Sequence, residues 1–81
     1  MTHTIDRIRE VRPEAGSDRT MAYAVHFYPG PEPQIVVEYA AGGGTNLASA
    51  SHARSVVRPY LDADEVPRRI VVDREGNAHP Q

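Results

Sequence analysis

Apolar residues recur at every second position along two stretches of this chain. From Thr20 to Tyr28, Met21, Tyr23, Val25 and Phe27 alternate with Ala22, Ala24, His26 and Tyr28. From Gln34 to Ala41, Ile35, Val37, Tyr39 and Ala41 alternate with Val36 and Glu38. A period of two puts each set on one side of a pleated strand, so both stretches read as β-strands. Pro29, Pro31 and Pro33 stand between them at alternate positions, with Gly30 and Glu32. Proline has no N–H for a ladder, so this segment is a stiff extended connection and the two strands form an antiparallel hairpin.

The period then changes. Leu47, Ala50, Ala53, Val56, Val57, Tyr60 and Leu61 recur at helical spacing, with Thr45 or Asn46 as a natural N-cap. Pro59 removes a backbone donor and disfavours helix at Arg58, so the helix is expected to end or kink near Val57, with Tyr60 and Leu61 packing from a terminal turn. Before the hairpin, Ile5, Ile8 and Val11 lie three apart within Thr4 to Arg12. That spacing fits a helical face as well as an irregular edge strand, and strand is preferred. Pro13 ends this element, and Glu14 to Arg19 is a polar loop. After the helix come an acidic loop from Asp62 to Pro67 and a strand from Arg68 to Asp73, with Ile70 and Val72 opposed to Val71. Arg74 to Asn77 reads as a turn, and the tail to Gln81 either pairs briefly or frays.

The expected architecture is a small α+β domain in the order β-β-β-α-β, an antiparallel sheet of three or four strands with one main helix packed on one face. The bulky face of Met21, Tyr23, Val25, Phe27, Ile35, Val37 and Tyr39 takes the helix. One domain spans residues 1–81, with 76–81 as the segment open to fraying. The opposite face, with Ala22, Ala24, Val36 and Val71, is poorly polar, as surfaces that meet another subunit often are.

Composition narrows the function classes. At 81 residues the core is small, so dimerisation is a natural source of added stability. The absence of cysteine excludes disulfides, thiol catalysis and cysteine-zinc sites. Nine basic against eleven acidic residues give a formal charge of −2, which does not supply the field of a general nucleic-acid binder. All nine basic residues are arginine, which suits bidentate contact with carboxylate or phosphate, although codon bias in a GC-rich genome is the simpler account. No apolar run is long enough to cross a bilayer, and the start of the chain lacks the cationic and apolar stretches of a secretory signal, so no membrane association and a cytoplasmic location are expected.

The most conspicuous candidate for chemistry is the run Gly42, Gly43, Gly44, Thr45 and Asn46, where a strand passes through glycines into a helix. Backbone N–H groups at such a junction can face an anion, and His52 and Arg54 could add positive charge, so these residues form the tentative ligand-binding set. The run lacks the lysine of a phosphate loop and the spacing of a dinucleotide fingerprint, and a plain connector explains it as well. The sequence of hairpin, glycines and helix resembles, at the level of fold, small α+β binding modules such as double-stranded RNA-binding domains. The lysine-rich helix start of that domain is missing, since Thr45, Asn46, Leu47, Ala48 and Ser49 offer no cation, and the resemblance carries over no functional residues.

The other candidates are weaker. His3, His26, His52 and His79 lie on separate elements without zinc-site spacing, so neither a metal nor any other cofactor is expected. Ser49, His52 and Ser55 fall on one helical face, but no orienting acid or oxyanion hole accompanies them. Asp62, Asp64 and Glu65 lack the frame of a calcium loop and read as a solvated turn that answers Arg68 and Arg69. Of the aromatic residues that could stack on bases, Tyr23, Phe27 and Tyr39 belong to the expected core, leaving Tyr28 and Tyr60. The leading reading is a small non-enzymatic binding or regulatory protein acting through protein–protein contact as a homodimer. The alternative is a module binding a small phosphate- or carboxylate-bearing ligand at the glycine-rich helix start. A small enzyme using a histidine ranks third, because no nucleophile, base and stabiliser can be named together.

Overall fold

The computed structural model describes residues 3–16, 18–28, 33–40 and 48–81. Within them the strands β1 (Thr4–Val11), β2 (Arg19–Tyr28), β3 (Gln34–Ala40), β4 (Arg69–Val72) and β5 (Ala78–Pro80) build one sheet in the order β1-β2-β3-β4-β5. The helix α1 (Ala50–Val57) lies between β3 and β4 in the chain and is followed by a 3-10 turn at Arg58–Tyr60. The fold is α+β, and two details correct the expectation. The sheet has five strands rather than three or four, and it is mixed: β3 and β4 are parallel while the other three pairs are antiparallel. The chain leaves β3, crosses the sheet through α1 and re-enters beside the start of β3, so β4 must run in the same direction. An order of elements alone does not carry that information.

Strand β1 resolves an inconsistency in its own spacing. Ile5 and Ile8 cannot share a face at a strict period of two, but the register shifts between Ile5 and Arg7. The bulge at Asp6 resets the alternation, so Ile5 sits opposite Phe27 and Ile8 opposite Val25, both on the helix side. Val11 then falls on the other face, opposite Ala22.

The helix-side core contains Val25 and Phe27 of β2, Ile35, Val37 and Tyr39 of β3, Ile70 and Val72 of β4, and Ala53, Val57 and Leu61 from α1 and the turn after it. Met21 and Tyr23, expected in this core, are half-buried at its margin. Each fully buried aliphatic side chain contributes about 1.5–3 kcal/mol relative to exposure, so this cluster is the main source of cohesion. The helix begins later than its periodicity implies. Ser49, in extended conformation, is the N-cap, and its Oγ accepts the His52 N–H at 3.0 Å. Thr45 and Asn46 are therefore not the cap, and they lie outside the described residues. Val57 ends α1, Pro59 is accommodated in the 3-10 turn where its missing donor costs little, and Leu61 is buried beyond it.

The β4–β5 hairpin depends on Asp73. Its Oδ1 accepts the N–H groups of Glu75 and Asn77 at 3.0 and 2.8 Å, and its Oδ2 accepts from His79 Nε2 at 2.8 Å. Gly76 takes a positive φ of 90°, which a side chain would resist, and its N–H bonds the Asp73 carbonyl. The carboxyl is held below the ordinary aspartate range, chiefly by the His79 hydrogen bond and then by the Asn77 N–H; burial opposes them, and the Glu75 N–H adds a lesser lowering. A folded-state pKa below that of the unfolded chain, near 3.8, means that the clamp is complete above that value and is lost as pH falls through the folded one. Followed by NMR, the amides of Ala78 to Gln81 in the wild type should keep their paired shifts down to about pH 4 and lose them in stronger acid. Asp73→Asn should show weakened pairing already at neutral pH and no such acid step.

Candidate functional site

The tentative ligand-binding set divides on the structure. Gly42, Gly43, Gly44, Thr45 and Asn46 lie outside the described residues. His52 is in the first turn of α1 and half-buried, whereas Arg54 is exposed on the same helix. Among the described residues no hydrogen bond brings the two to a common point, and the His52 backbone N–H is already taken by the Ser49 cap.

What His52 does touch is the sheet. Its Nδ1 lies 2.7 Å from the Tyr39 hydroxyl and its ring packs against the Tyr39 ring, with Tyr23 meeting Tyr39 edge-on. Burial pushes the Tyr39 phenol well above its ordinary range, and the neighbouring Tyr23 adds to the effect. The phenol therefore stays protonated, and the short separation suits its O–H donating to the imidazole nitrogen. This contact ties the start of α1 to the middle of the sheet. Ser49 and Ser55 do not complete a nucleophile with His52: Ser49 Oγ is the cap, and Ser55 Oγ donates to the Ser51 carbonyl at 3.3 Å.

The helix-free face carries a second polar group that the alternation pattern did not bring out. Glu38 is only 1% exposed, yet it sits among the valines of β3. Its Oε2 accepts the Glu14 N–H at 3.0 Å, while its Oε1 is 3.4 Å from Arg69 Nε, an ion pair without hydrogen-bond alignment. Arg69 also donates to the Glu14 carboxylate at 3.0 Å. Segment 12–16 is thereby strapped over one end of the face, above the row Val11, Ala22, Glu38, Val71 and His79 that crosses the whole sheet. A glutamate in the centre of a Val/Ile strand was the available signal, since a buried carboxylate needs a cation or donors. The same finding corrects the reading of the acidic loop: Arg69 pairs with Glu14 and Glu38, and Asp62, Asp64 and Glu65 form no ion pair among the described residues.

The other end of that face is uncovered by the strap. Arg7 sits opposite His26, Arg9 opposite Ala24, and Arg9 Nε donates to His26 Nε2 at 3.2 Å. Tyr28, beyond His26 on the same side, is 51% exposed. Two open depressions of about 580 and 400 Å³ flank Val66 and Pro67, the first beside Tyr60 and Pro80 and the second beside Phe27 and Pro33. Glu65 and Gln81 complete the first, and Gln34 and Arg68 the second. Among the described residues no group of three or more His, Asp or Glu side chains is placed to hold a metal ion, and no helix is long and apolar enough to cross a membrane. Comparison with known proteins gives no match, whether to family models, to curated sequences or to solved structures.

Two substitutions test these contacts. Glu38→Ala should cost about 2 kcal/mol in urea unfolding, because it leaves the Glu14 N–H without its acceptor and Arg69 with only one of its two carboxylates, and should release segment 12–16 as seen by amide exchange. Tyr39→Phe should cost about 1 kcal/mol and speed exchange selectively at the start of α1; unchanged exchange there would mean that the hydroxyl does not anchor the helix.

Proposed function

We propose that this chain is a small non-enzymatic binding or regulatory protein that acts through protein–protein contact as a homodimer. The observation that carries the reading is the helix-free sheet face, where Tyr28 is 51% exposed opposite Thr4 and, two rows further along, Val36 is half-buried in the row of Ala24 and Arg9. A sheet face with apolar positions and no helix over it is protected from water by another surface more economically than by solvent. The open strand edges are poorer candidates. β1 carries a bulge and the charged residues Asp6, Arg7, Arg9 and Glu10, devices that discourage edge pairing, and β5 is only three residues long.

The anion-binding alternative has less support. The first turn of α1 contains no acid, but Ser49 supplies one of the acceptors that an anion would otherwise provide. Among the described residues no constellation supports an enzymatic role, since the phenol of Tyr39 is held protonated and His52 is engaged with it. Size-exclusion chromatography with light scattering at micromolar concentration should give twice the chain mass of 8.9 kDa; a mass equal to one chain at every concentration would overturn the homodimer.

A further inference from the structure

His26 stands in the middle of the surface that the homodimer reading sets against a second copy. On the helix-free face the residues fall into rows across the strands: Thr4 with Tyr28, then Arg7 with His26 and Gln34, then Arg9 with Ala24, Val36 and Arg69. The row of His26 therefore lies between the exposed Tyr28 and the half-buried Val36, so a partner that covers both of these covers His26 as well. His26 is already half-buried within one copy, one strand in from the edge of the sheet. Arg7 and Arg9 are exposed on the outermost strand β1, where their charges stay in water at the rim of such a contact.

Arg9 fixes the proton state of that imidazole. Its Nε donates to His26 Nε2 at 3.2 Å, and a guanidinium can only donate, so Nε2 holds a lone pair and the ring in this bond is neutral, with its proton on Nδ1. A second proton has to go to Nε2. It breaks the bond with Arg9 and sets a third positive charge beside Arg9 and Arg7, the latter directly opposite on β1. The other groups around His26 do not balance that charge. Gln34 and Val36 on β3 are uncharged, Tyr28 on the same strand bears a phenol, and Arg69, at the far side of the next row, is a further cation engaged with Glu14 and Glu38. Of the acids of β1, Asp6 sits in the bulge next to Arg7 and Glu10 is on the helix side opposite Tyr23, so one carboxylate stands against two guanidinium groups. A second copy seated over this row strips water from the imidazole and strengthens the repulsion, and both effects fall on the protonated form.

We infer that His26 is a proton-sensitive latch on self-association: its neutral form lets the helix-free faces of two copies close on each other, and its protonation separates them. The inference rests on the homodimer reading and adds the regulation of that surface. Because the separated chain takes up more protons than the dimer, association weakens as pH falls.

Sedimentation of the full chain between about pH 8 and pH 5, the range over which histidine side chains change charge, tests the latch. The dimer dissociation constant of the wild type should rise by about tenfold or more between these limits. His26→Gln, which keeps an acceptor for Arg9 and takes up no proton, should remain a dimer with nearly the same constant at both, and His26→Arg should be dissociated already at pH 8. His79→Gln, the same change at the histidine in the row of Val71, should keep the wild-type dependence on pH. Circular dichroism at each pH establishes that every variant is folded. A wild type that is a monomer at pH 8 at every concentration would overturn the homodimer reading and this inference with it. A wild-type dimer whose constant does not change with pH, or changes equally in His26→Gln, would overturn only the inference.

Discussion

One short helix has to shield a five-stranded sheet, and most of the structure follows from its inability to do so on both sides. An eight-residue helix is about 12 Å long, whereas five strands side by side extend about 19 Å across, so α1 covers one face mainly over β1, β2 and β3 and leaves the other to different means. On the helix side the side chains are accordingly large: Ile35, Val37, Ile70 and Val72 meet Ala53, Val57 and Leu61 in a continuous core. The turn after Val57 extends this cover, because Pro59 allows a 3-10 continuation and Leu61 is buried from it. The Tyr39–His52 contact is the polar complement of the same packing, holding the first turn of the helix against β3.

The face without a helix is divided in two. At one end a buried glutamate, Glu38, draws the backbone of Glu14 and the guanidinium of Arg69 over itself, and segment 12–16 becomes a lid of polar chain over small residues such as Ala22. A carboxylate in that position is costly to bury alone, and the strap answers the cost with one backbone donor and one cation. At the other end Ala24 is buried among its larger neighbours, and Val36 is half-buried in the same row as Arg9.

Much of the secondary structure was legible along the chain because its causes are local. β2 and β3 follow from strict alternation, the end of α1 from Pro59, and the last turn from Gly76 and its flanking polar residues. The start of α1 was misplaced because Leu47 continues the helical spacing while Ser49 makes the capping bond, and several residues there qualify as caps by type. The fifth strand was left open because three residues ending in Pro80 have almost no pattern of their own; they pair because Asp73 and Gly76 turn the chain back beside β4. Of the candidate site, the sequence singled out His52, but its partner Tyr39 was assigned wholly to the core, since periodicity locates a ring and says nothing of where its hydroxyl ends.

By itself, then, the sequence determined that β2, β3 and β4 are strands, which face of β2 and β3 is bulky and apolar, and that charge and cysteine content exclude several kinds of chemistry, because alternation, proline geometry and composition are properties of neighbours along the chain. Tertiary structure alone decided that β3 and β4 run parallel, that Glu38 faces Arg69 and Glu14 rather than solvent, and that the arginines of β1 and the acids before β4 stand at the same end of opposite sides of the sheet. Those relations join residues from β1, β3 and β4 that are remote in sequence, and they exist only once the crossover through α1 has set the direction of β4.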